Sequence, residues 1–525
     1  MHTNIARIQT RASDAGNQIV PKELDIYPSF PRNEEDIVSS VNEASNKNRP
    51  ICVSAALTGL AGAGVPLYPK TGSLTRIFMD KLITVANRPG FQKNLSNGIL
   101  ISDDGNSCIL APGVRIAELR SILEKNNLMY LPHPEYTQSM IAGNVATNAS
   151  GPRSFGVGPT RDHVRSLRVV LADGDIVTIR RGDIRAFDGQ FNVEIGGKNP
   201  HQLNFSVPTY PCPSIKNAAG LIVSPEMDLI DLFIGSEGSF GIFSEIEVCV
   251  FPLRKIESKT LLLNNEEAAL ELASELREHR MSKEKFMQDP LDNDLGVLAV
   301  EFFDSYALAL ARQAPQLKIS DDARAAIQLQ LFTDDNETSQ TTHNLLQKYE
   351  KYYVGIIPGE QASIFRTSTP GIVAESLKRL GLTKIGTDFA VAPSNFSALF
   401  DVYRFIRGEC NKHFTTPAPL PTSAIWGHIG DCNLHMNLFP NTAEELQLAE
   451  ELYGIAVEEV IKLGGTVSAE HGTGKKSVYA FGQKKHYLEH MLGPKAIGEI
   501  AAVKKVFDPK DILNPGNLAF LSDDA

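Results

Sequence analysis

The 525-residue chain is 42% hydrophobic and 22% charged, enough apolar material for two or three domains, but no apolar run reaches the length of a bilayer-spanning helix. Its formal net charge of -11 argues against a nucleic-acid binder, because neutralising phosphates requires a basic surface. Six cysteines without CxxC spacing argue against a disulfide framework or an iron–sulfur module and fit a reducing compartment.

In chain order, Arg7 and Arg11 fall in an opening stretch without acidic residues, a transit-peptide trait that lacks the apolar core of a secretory signal. The expected location is the cytoplasm, with attachment at a membrane surface or organelle import as alternatives. Asn33 and Asp36 ahead of Ile37, Val38 and Val41 predict a capped helix, with a strand at Ile51 to Ser54 after it. Ser107 to Ala111, Pro112-Gly113, and then Ile116, Leu119, Ile122 and Leu123 repeat the strand, turn, helix pattern. Val164 to Ala172 and Ile176 to Ile179 flank Asp173-Gly174, a hairpin signal in which both turn residues favour positive φ. Ile242 to Phe251 reads as a strand stopped by Pro252.

From about residue 255 strands and helices alternate at wider spacing: Leu261 to Leu263, a helix from Glu266 to Arg280, Val297 to Phe302, another helix, then Ile327 to Phe332. The Pro-rich stretch Thr416 to Thr422 reads as a loop close to the active site. Gly427, Gly430 and Asp431 predict a turn, with a strand from Asn433 to Phe439. Thr442 and Glu445 form a capping box ahead of Leu446, Ala449, Leu452, Ala456, Val457 and Val460, and Gly464-Gly465 ends that helix.

The chemistry concentrates around this last helix. GHIGDCNLHMN (Gly427 to Asn437) and SAEHGTGKKS (Ser468 to Ser477) supply His428, His435, Glu470 and His471. Imidazole and carboxylate are ligands for borderline divalent cations of the Zn or Mn type; three of them leave room for a substrate oxygen, and the fourth can act as a base. Seven residues separate the two histidines, which suits convergence across the bend. Glycine and small polar residues gather at Thr58 to Gly64, Ala142 to Gly158 and Gly235 to Gly241. Backbone amides around Gly143, Asn144, Asn148, Ser150 and Gly151 suit a pyrophosphate and imply a phosphate-bearing cofactor. No GxGxxG follows the first strand, so a Rossmann site is not supported.

Together TGLAGAGVP (Thr58 to Pro66), LPHPEYTQSMIAGNVATNASGPRSFGVGPTRDHV (Leu131 to Val164), DLFIGSEGSFGI (Asp231 to Ile242), the two histidine motifs and FDPKDILNPGN (Phe507 to Asn517) resemble one family. It is that of the FAD-linked oxidoreductases related to vanillyl-alcohol oxidase and p-cresol methylhydroxylase, in the branch of D-lactate, glycolate and D-2-hydroxyglutarate dehydrogenases. The resemblance covers about residues 27 to 518. It implies an α+β fold, with a PCMH-type FAD-binding domain over 27–254 and a FAD-linked oxidase C-terminal cap domain over 255–518, whose NPGN segment returns to the flavin.

By the same resemblance, FAD contacts come from Thr58, Gly59, Gly62, Pro132, Gly143, Asn144, Thr147, Asn148, Ser150, Gly151, Gly158, Asp162, Glu237, Gly238, Gly241, Ile242 and Asn514. His428, His435 and Glu470 hold a divalent metal, His471 is the base for the substrate hydroxyl, and Arg366 takes the substrate carboxylate, although Pro370 departs from the usual pattern beside it. The implied reaction takes a small D-2-hydroxy acid to the 2-keto acid and passes electrons to a separate acceptor: a quinone, a cytochrome or an electron-transfer flavoprotein. A homodimer is a further expectation. Rival readings are a flavin-binding subunit without catalysis, a non-redox FAD synthase of the alkyl-glycerone-phosphate type, and a flavin-free metal hydrolase. The intact His428, His435, Glu470 and His471 set argues against the first two, and the Gly-rich segments against the third. Two further departures are Ala55-Ala56-Leu57, where relatives carry three glycines, and Cys432, where they carry one more; the first implies an altered pyrophosphate turn and the second a small buried thiol.

Overall fold

The computed structural model describes residues 13–16, 18–69, 72–92, 98–196, 200–280, 296–333, 340–415 and 418–518; Arg7, Arg11, Thr416 and Pro417 lie outside them. The first strands, β1 (Leu24–Ser29), β2 (Ile51–Ser54) and β3 (Gly72–Phe78), make a parallel sheet in the order β1-β3-β2. Helix α1 (Glu34–Asn46) packs Ile37, Val41 and Ala44 inward, and its first turn is closed by Asn33 Oδ1 accepting from the Asp36 amide at 2.8 Å. An antiparallel sheet follows from β4 (Ile99–Ile101), β5 (Ser107–Leu110), β6 (Val164–Val170), β7 (Ile176–Arg180) and β8 (Ile242–Cys249), in the order β4-β5-β8-β6-β7. Helix α2 (Ile116–Lys125) buries Ile116, Leu119 and Leu123 in the same core.

Two expectations change here. The β6–β7 hairpin forms, but only Gly174 has positive φ; the Gly174 amide donates to Leu171 O and the Leu171 amide to Asp175 O, so the turn is longer than a two-residue one. Strand β8 ends at Cys249, and Phe251–Pro252 pairs instead with Leu128–Met129.

A third sheet is antiparallel and eight-stranded. Its path is β12-β9-β11-β10-β14-β15-β13, made of β9 (Ile256–Leu263), β10 (Val297–Asp304), β11 (Ala325–Phe332), β12 (Tyr353–Pro358), β13 (Ile385–Gly386), β14 (Ser423–His428) and β15 (Asn433–Leu438), with Phe389–Ala390 also pairing β15. Helices α3 (Glu266–Glu278) and α4 (Ser305–Ala311) follow the sequence pattern, α3 stopping two residues before Arg280. Helix α5 (Gly359–Leu380) carries Arg366 and lies over one face of the sheet, where Ala362, Phe365 and Val373 meet Leu262, Phe303 and Ala326. Helix α6 (Phe396–His413) and α7 (Ala443–Lys462) cover the other face, α7 starting on Thr442, whose hydroxyl accepts from the Glu445 amide at 3.2 Å. The Pro-rich loop is displaced from its expected place: Ala418 and Pro419 lie beside Ile372, Glu375, Ser376 and Arg379 on α5, away from the histidines.

The C-terminal end packs back on the first sheets. Helix α8 (Tyr487–Phe507) puts Leu488, Ile500, Val503 and Phe507 into the core of the β4–β8 sheet, and Ile512 and Leu513 join the core beside β2. Asn514 closes the seam: its Oδ1 accepts from the Val53 amide at 2.9 Å and its Nδ2 donates to Gly238 O at 2.8 Å. Asn514→Ala leaves both groups without that partner, so a loss of roughly 2–4 kcal/mol is expected, measured as a lower thermal midpoint. Among the described residues no helix is long and apolar enough to cross a membrane.

Candidate active site

Strand β14 ends at His428, Ile429–Asp431 makes a single 3-10 turn, and β15 starts at Asn433, which sets Trp426 opposite His435. The two imidazoles thereby meet across the bend with ring centroids 5.3 Å apart and planes nearly perpendicular. Glu470 and His471 arrive on the loop after α7. Asp388 fixes that loop by accepting from the Glu470 amide at 3.1 Å, the His471 amide at 2.9 Å and the Ser468 hydroxyl at 2.9 Å.

His428 Nε2 and His435 Nε2 each lie 3.2 Å from the Glu470 carboxylate, and one donor atom from each of the three residues falls within 4.8 Å of the others. Each ring is oriented from behind. The Glu301 carboxylate is 2.5 Å from His428 Nδ1, and the Thr387 carbonyl accepts from His435 Nδ1 at 2.9 Å, so Nε2 is the His435 nitrogen directed at Glu470. Burial opposes charge on His428, yet Glu301 and Glu470 hold it up at about 9. Burial likewise opposes ionisation of Glu301, which the His428 and Arg366 charges bring down to about 2. Glu301 and Glu470 thereby favour positive charge at His428, which a divalent cation on Nε2 would supply in place of a ring proton. The donor set fits such a cation: two Nε2 atoms and a carboxylate converge, with the Glu301 carboxylate behind one ring and the Thr387 carbonyl behind the other.

His471 is set apart from the other two histidines. Its Nδ1 is 3.1 Å from Asp388 Oδ2, its Nε2 is 3.5 Å from Glu470 Oε1, and its ring stacks on His435 with centroids 5.7 Å apart. Its side chain is 30% exposed, against 3% for His428 and 14% for His435. Asp388, Glu470 and His471 also form a second group of converging donors. Arg366 does not reach the histidines directly; its Nε lies 3.2 Å from Glu301 Oε2 and its Nη1 3.7 Å from Glu135 Oε1. Pro370, inside α5, lacks the N–H that would bond the Arg366 carbonyl.

Four residues here carried no signal as a motif. Lys216, buried, places Nζ 3.0 Å from Glu470 Oε2, so the carboxylate shared by both histidines is also tied to the chain segment before β8. Lys384 Nζ donates to Asn437 Oδ1. Glu301 and Asp388 orient the imidazoles. A carboxylate in the otherwise apolar run VLAVEFF of β10 is the one sequence trace of Glu301.

The Gly-rich segments gather around Ile141–Ala146 and the loop after β2. Asn144 Nδ2, Ser150 Oγ, Ser236 Oγ and Thr473 Oγ1 are buried without a hydrogen-bond partner; they are the donors a buried phosphate-bearing cofactor would satisfy. Gly151 admits no side chain, since a Cβ would lie 2.1 Å from His133 O, whereas one on Gly59 would meet nothing within 4 Å. Gly143 faces Ala55, whose Cβ would be 3.3 Å away. Other expected contacts have their polar groups engaged within the protein. The Gly62 amide donates to Asp14 Oδ2, Thr147 Oγ1 to Gly143 O and the Arg161 amide to Asn148 Oδ1, while Glu237 accepts from the Thr473 and Gly474 amides. Pro132 O accepts from Arg120, and a Cβ on Gly158, Gly238 or Gly241 would strike Asp162, Asn514 or Val169. Ile242 is buried, paired with Val170. Leu57 and Cys432, where the family resemblance leads one to expect glycine, both adopt positive φ, 58° and 52°, a conformation costing about 1–2 kcal/mol for a residue with a Cβ. The Ala15 amide helps hold Leu57 there by donating to its carbonyl at 3.1 Å.

Comparison with known proteins identifies both halves of the chain. Residues 29–180 match the model for an FAD binding domain, and residues 285–518 that for the FAD linked oxidases, C-terminal domain. The chain is 26% identical over 497 residues to "Glycolate oxidase subunit GlcD" of Bacillus subtilis (strain 168), covering 93% of this chain and 87% of the relative. It is 26% identical over 501 residues to "D-lactate dehydrogenase" of Anaerostipes hadrus (92% and 87%). It is also 26% identical over 504 residues to "D-2-hydroxyglutarate dehydrogenase" of Stutzerimonas stutzeri (strain A1501) (93% and 90%). Among solved structures, alkyldihydroxyacetonephosphate synthase aligns with a TM-score of 0.62 at 15% identity, over 93% of this chain and 76% of that one, a likeness of fold. With an FAD-binding half and an oxidase C-terminal half in one α+β chain, this protein belongs to the PCMH-type FAD-linked oxidase family and is a flavoprotein oxidoreductase.

Proposed function

We propose that the chain is an FAD-dependent dehydrogenase that oxidises a D-2-hydroxy acid, of the D-lactate, glycolate or D-2-hydroxyglutarate type, to the 2-keto acid. The observation that carries this reading is one carboxylate, Glu470, shared by two histidines whose rings are oriented from behind, with a third histidine open beside them. The names of the relatives support the substrate class. In this reading residues 27–254 hold FAD, and residues 255–518 form the cap and return through NPGN.

FAD, when bound, would supply the two-electron acceptor for the hydrogen that leaves C2, and a separate quinone, cytochrome or electron-transfer flavoprotein would take up those electrons. His428, His435 and Glu470 would hold a Zn- or Mn-type divalent cation, whose Lewis acidity lowers the pKa of the substrate hydroxyl. Arg366 faces the substrate carboxylate with its guanidinium fork, pre-oriented by Glu301. His471 takes the hydroxyl proton on Nε2, since Nδ1 is directed at Asp388, which steadies the imidazolium that results. Glu301 and Asp388 act through the rings they orient, and Lys216 keeps Glu470 in place. A reducing cytoplasm fits the six free cysteines.

The purified chain is expected to be yellow, or to become so on incubation with FAD, because the buried partnerless donors around Asn144 and Ser150 mark a cofactor cradle. A colourless protein that takes up no FAD would rule the reading out.

A further inference from the structure

Arg153 follows Gly151 by two residues, and the oxidation described above gives it no part. It is partly buried and donates Nε to Gln330 Oε1 at 2.7 Å. The carboxylates nearby are committed elsewhere, Glu301 and Glu135 to Arg366, and no ion pair to Arg153 is found among the described residues. Burial, with the like charges of Arg120 and Arg366, lowers its guanidinium to about 9. A desolvated cation without an anion is costly, and a bound carboxylate removes that cost.

The sheet gives the direction from the metal-ligand residues. Across β10 and β11, Gln328 pairs with Glu301 and Gln330 with Ala299, so Gln330 stands one same-face step, about 7 Å, beyond Glu301. The order along this face is therefore His428, then Glu301 with Arg366, then Gln330 with Arg153. His133 closes the far side: its carbonyl packs on Gly151, and its buried Nδ1, like Arg120 Nε, has no partner. Burial and then the charges of Arg153, Arg120 and Arg366 keep His133 neutral, so it adds a hydrogen-bonding group to the cationic end.

We propose that Arg153, backed by His133 and Arg120, is a second anion subsite that takes a carboxylate at the far end of the substrate, which makes the substrate a short 2-hydroxy dicarboxylate and not a monocarboxylate such as lactate or glycolate. This rests on the 2-hydroxy-acid reading above. The hydroxyl lies at the histidines, the neighbouring carboxylate at Arg366, and the distal carboxylate one step further along the strands.

The test compares D-2-hydroxyglutarate with its C5 amide, of equal length, as reductants of the FAD- and metal-loaded protein. A preference for the diacid of roughly 10²-fold in kcat/KM is expected, carried by KM, as for loss of one partner of a buried charge pair. Arg153→Met should erase the preference by raising KM for the diacid while the amide changes little, and Arg153→Lys should restore part of it. Calorimetry with glutarate and butyrate reads the subsite without turnover: glutarate should bind the FAD-loaded protein more tightly than butyrate, and Arg153→Met should remove the difference. If no 2-hydroxy acid reduces the flavin, the parent reading falls and glutarate binding alone decides the subsite. Should Arg153→Met fail to retain FAD, Arg153→Lys carries the comparison by the same criteria. Equal use of diacid and amide by the wild type, or glutarate binding indifferent to Arg153, overturns the inference.

Discussion

Removing the divalent cation with a chelator, or replacing His435 by alanine, is expected to abolish oxidation of 2-hydroxy acids while the protein stays yellow. His435 Nε2 points at Glu470 because its Nδ1 is held by the Thr387 carbonyl, and the strand pairing places it against His428. Loss of an outer partner alone costs about 10–100-fold in metal affinity, so loss of a ligand atom should exceed that range. The check is metal content by elemental analysis beside the visible spectrum and the rate. Full activity in metal-free protein would return these histidines to a structural role.

His471→Ala is expected to behave differently. It should keep both FAD and metal, yet slow flavin reduction by about 10²- to 10⁴-fold, the usual cost of losing a positioned general base. Its side chain is the most exposed of the three histidines, and Asp388 supports the charge it would acquire. Rapid mixing under anaerobic conditions measures the rate, with metal content measured on the same sample. Loss of metal in this variant would make His471 a ligand with Asp388 and Glu470, a grouping the structure also contains. Reduction at the wild-type rate would send the proton through another group, His435 first.

What the sequence disclosed depended on how local each feature is. Helix α1 was legible because its cap, Asn33, and its apolar spacing lie within one short stretch. The His428–His435 bend was legible because Gly430 and Asp431 mark the turn between them. The β6–β7 hairpin was legible from alternation, but its turn was not, since the register that sets turn length depends on both strands together. Lys216 and Asp388 left no trace because each acts on a residue far away in the chain: Lys216 reaches Glu470 across 254 positions, and Asp388 fixes the His471 amide across 83. The Pro-rich loop misled for the converse reason, its proline content saying that it turns but not what it packs against. Lateral pairing also explains Arg153, whose meaning depends on Gln330 and the strand order beneath it.

The most direct measurement is anaerobic mixing of the yellow, metal-loaded protein with matched D- and L-2-hydroxy acids while the flavin absorbance is followed. The account predicts that D-acids bleach the flavin and yield the 2-keto acid in equal amount, that L-acids do not, and that chelated protein stays yellow with either. Flavin that no 2-hydroxy acid bleaches, in protein shown to hold both FAD and metal, would contradict it.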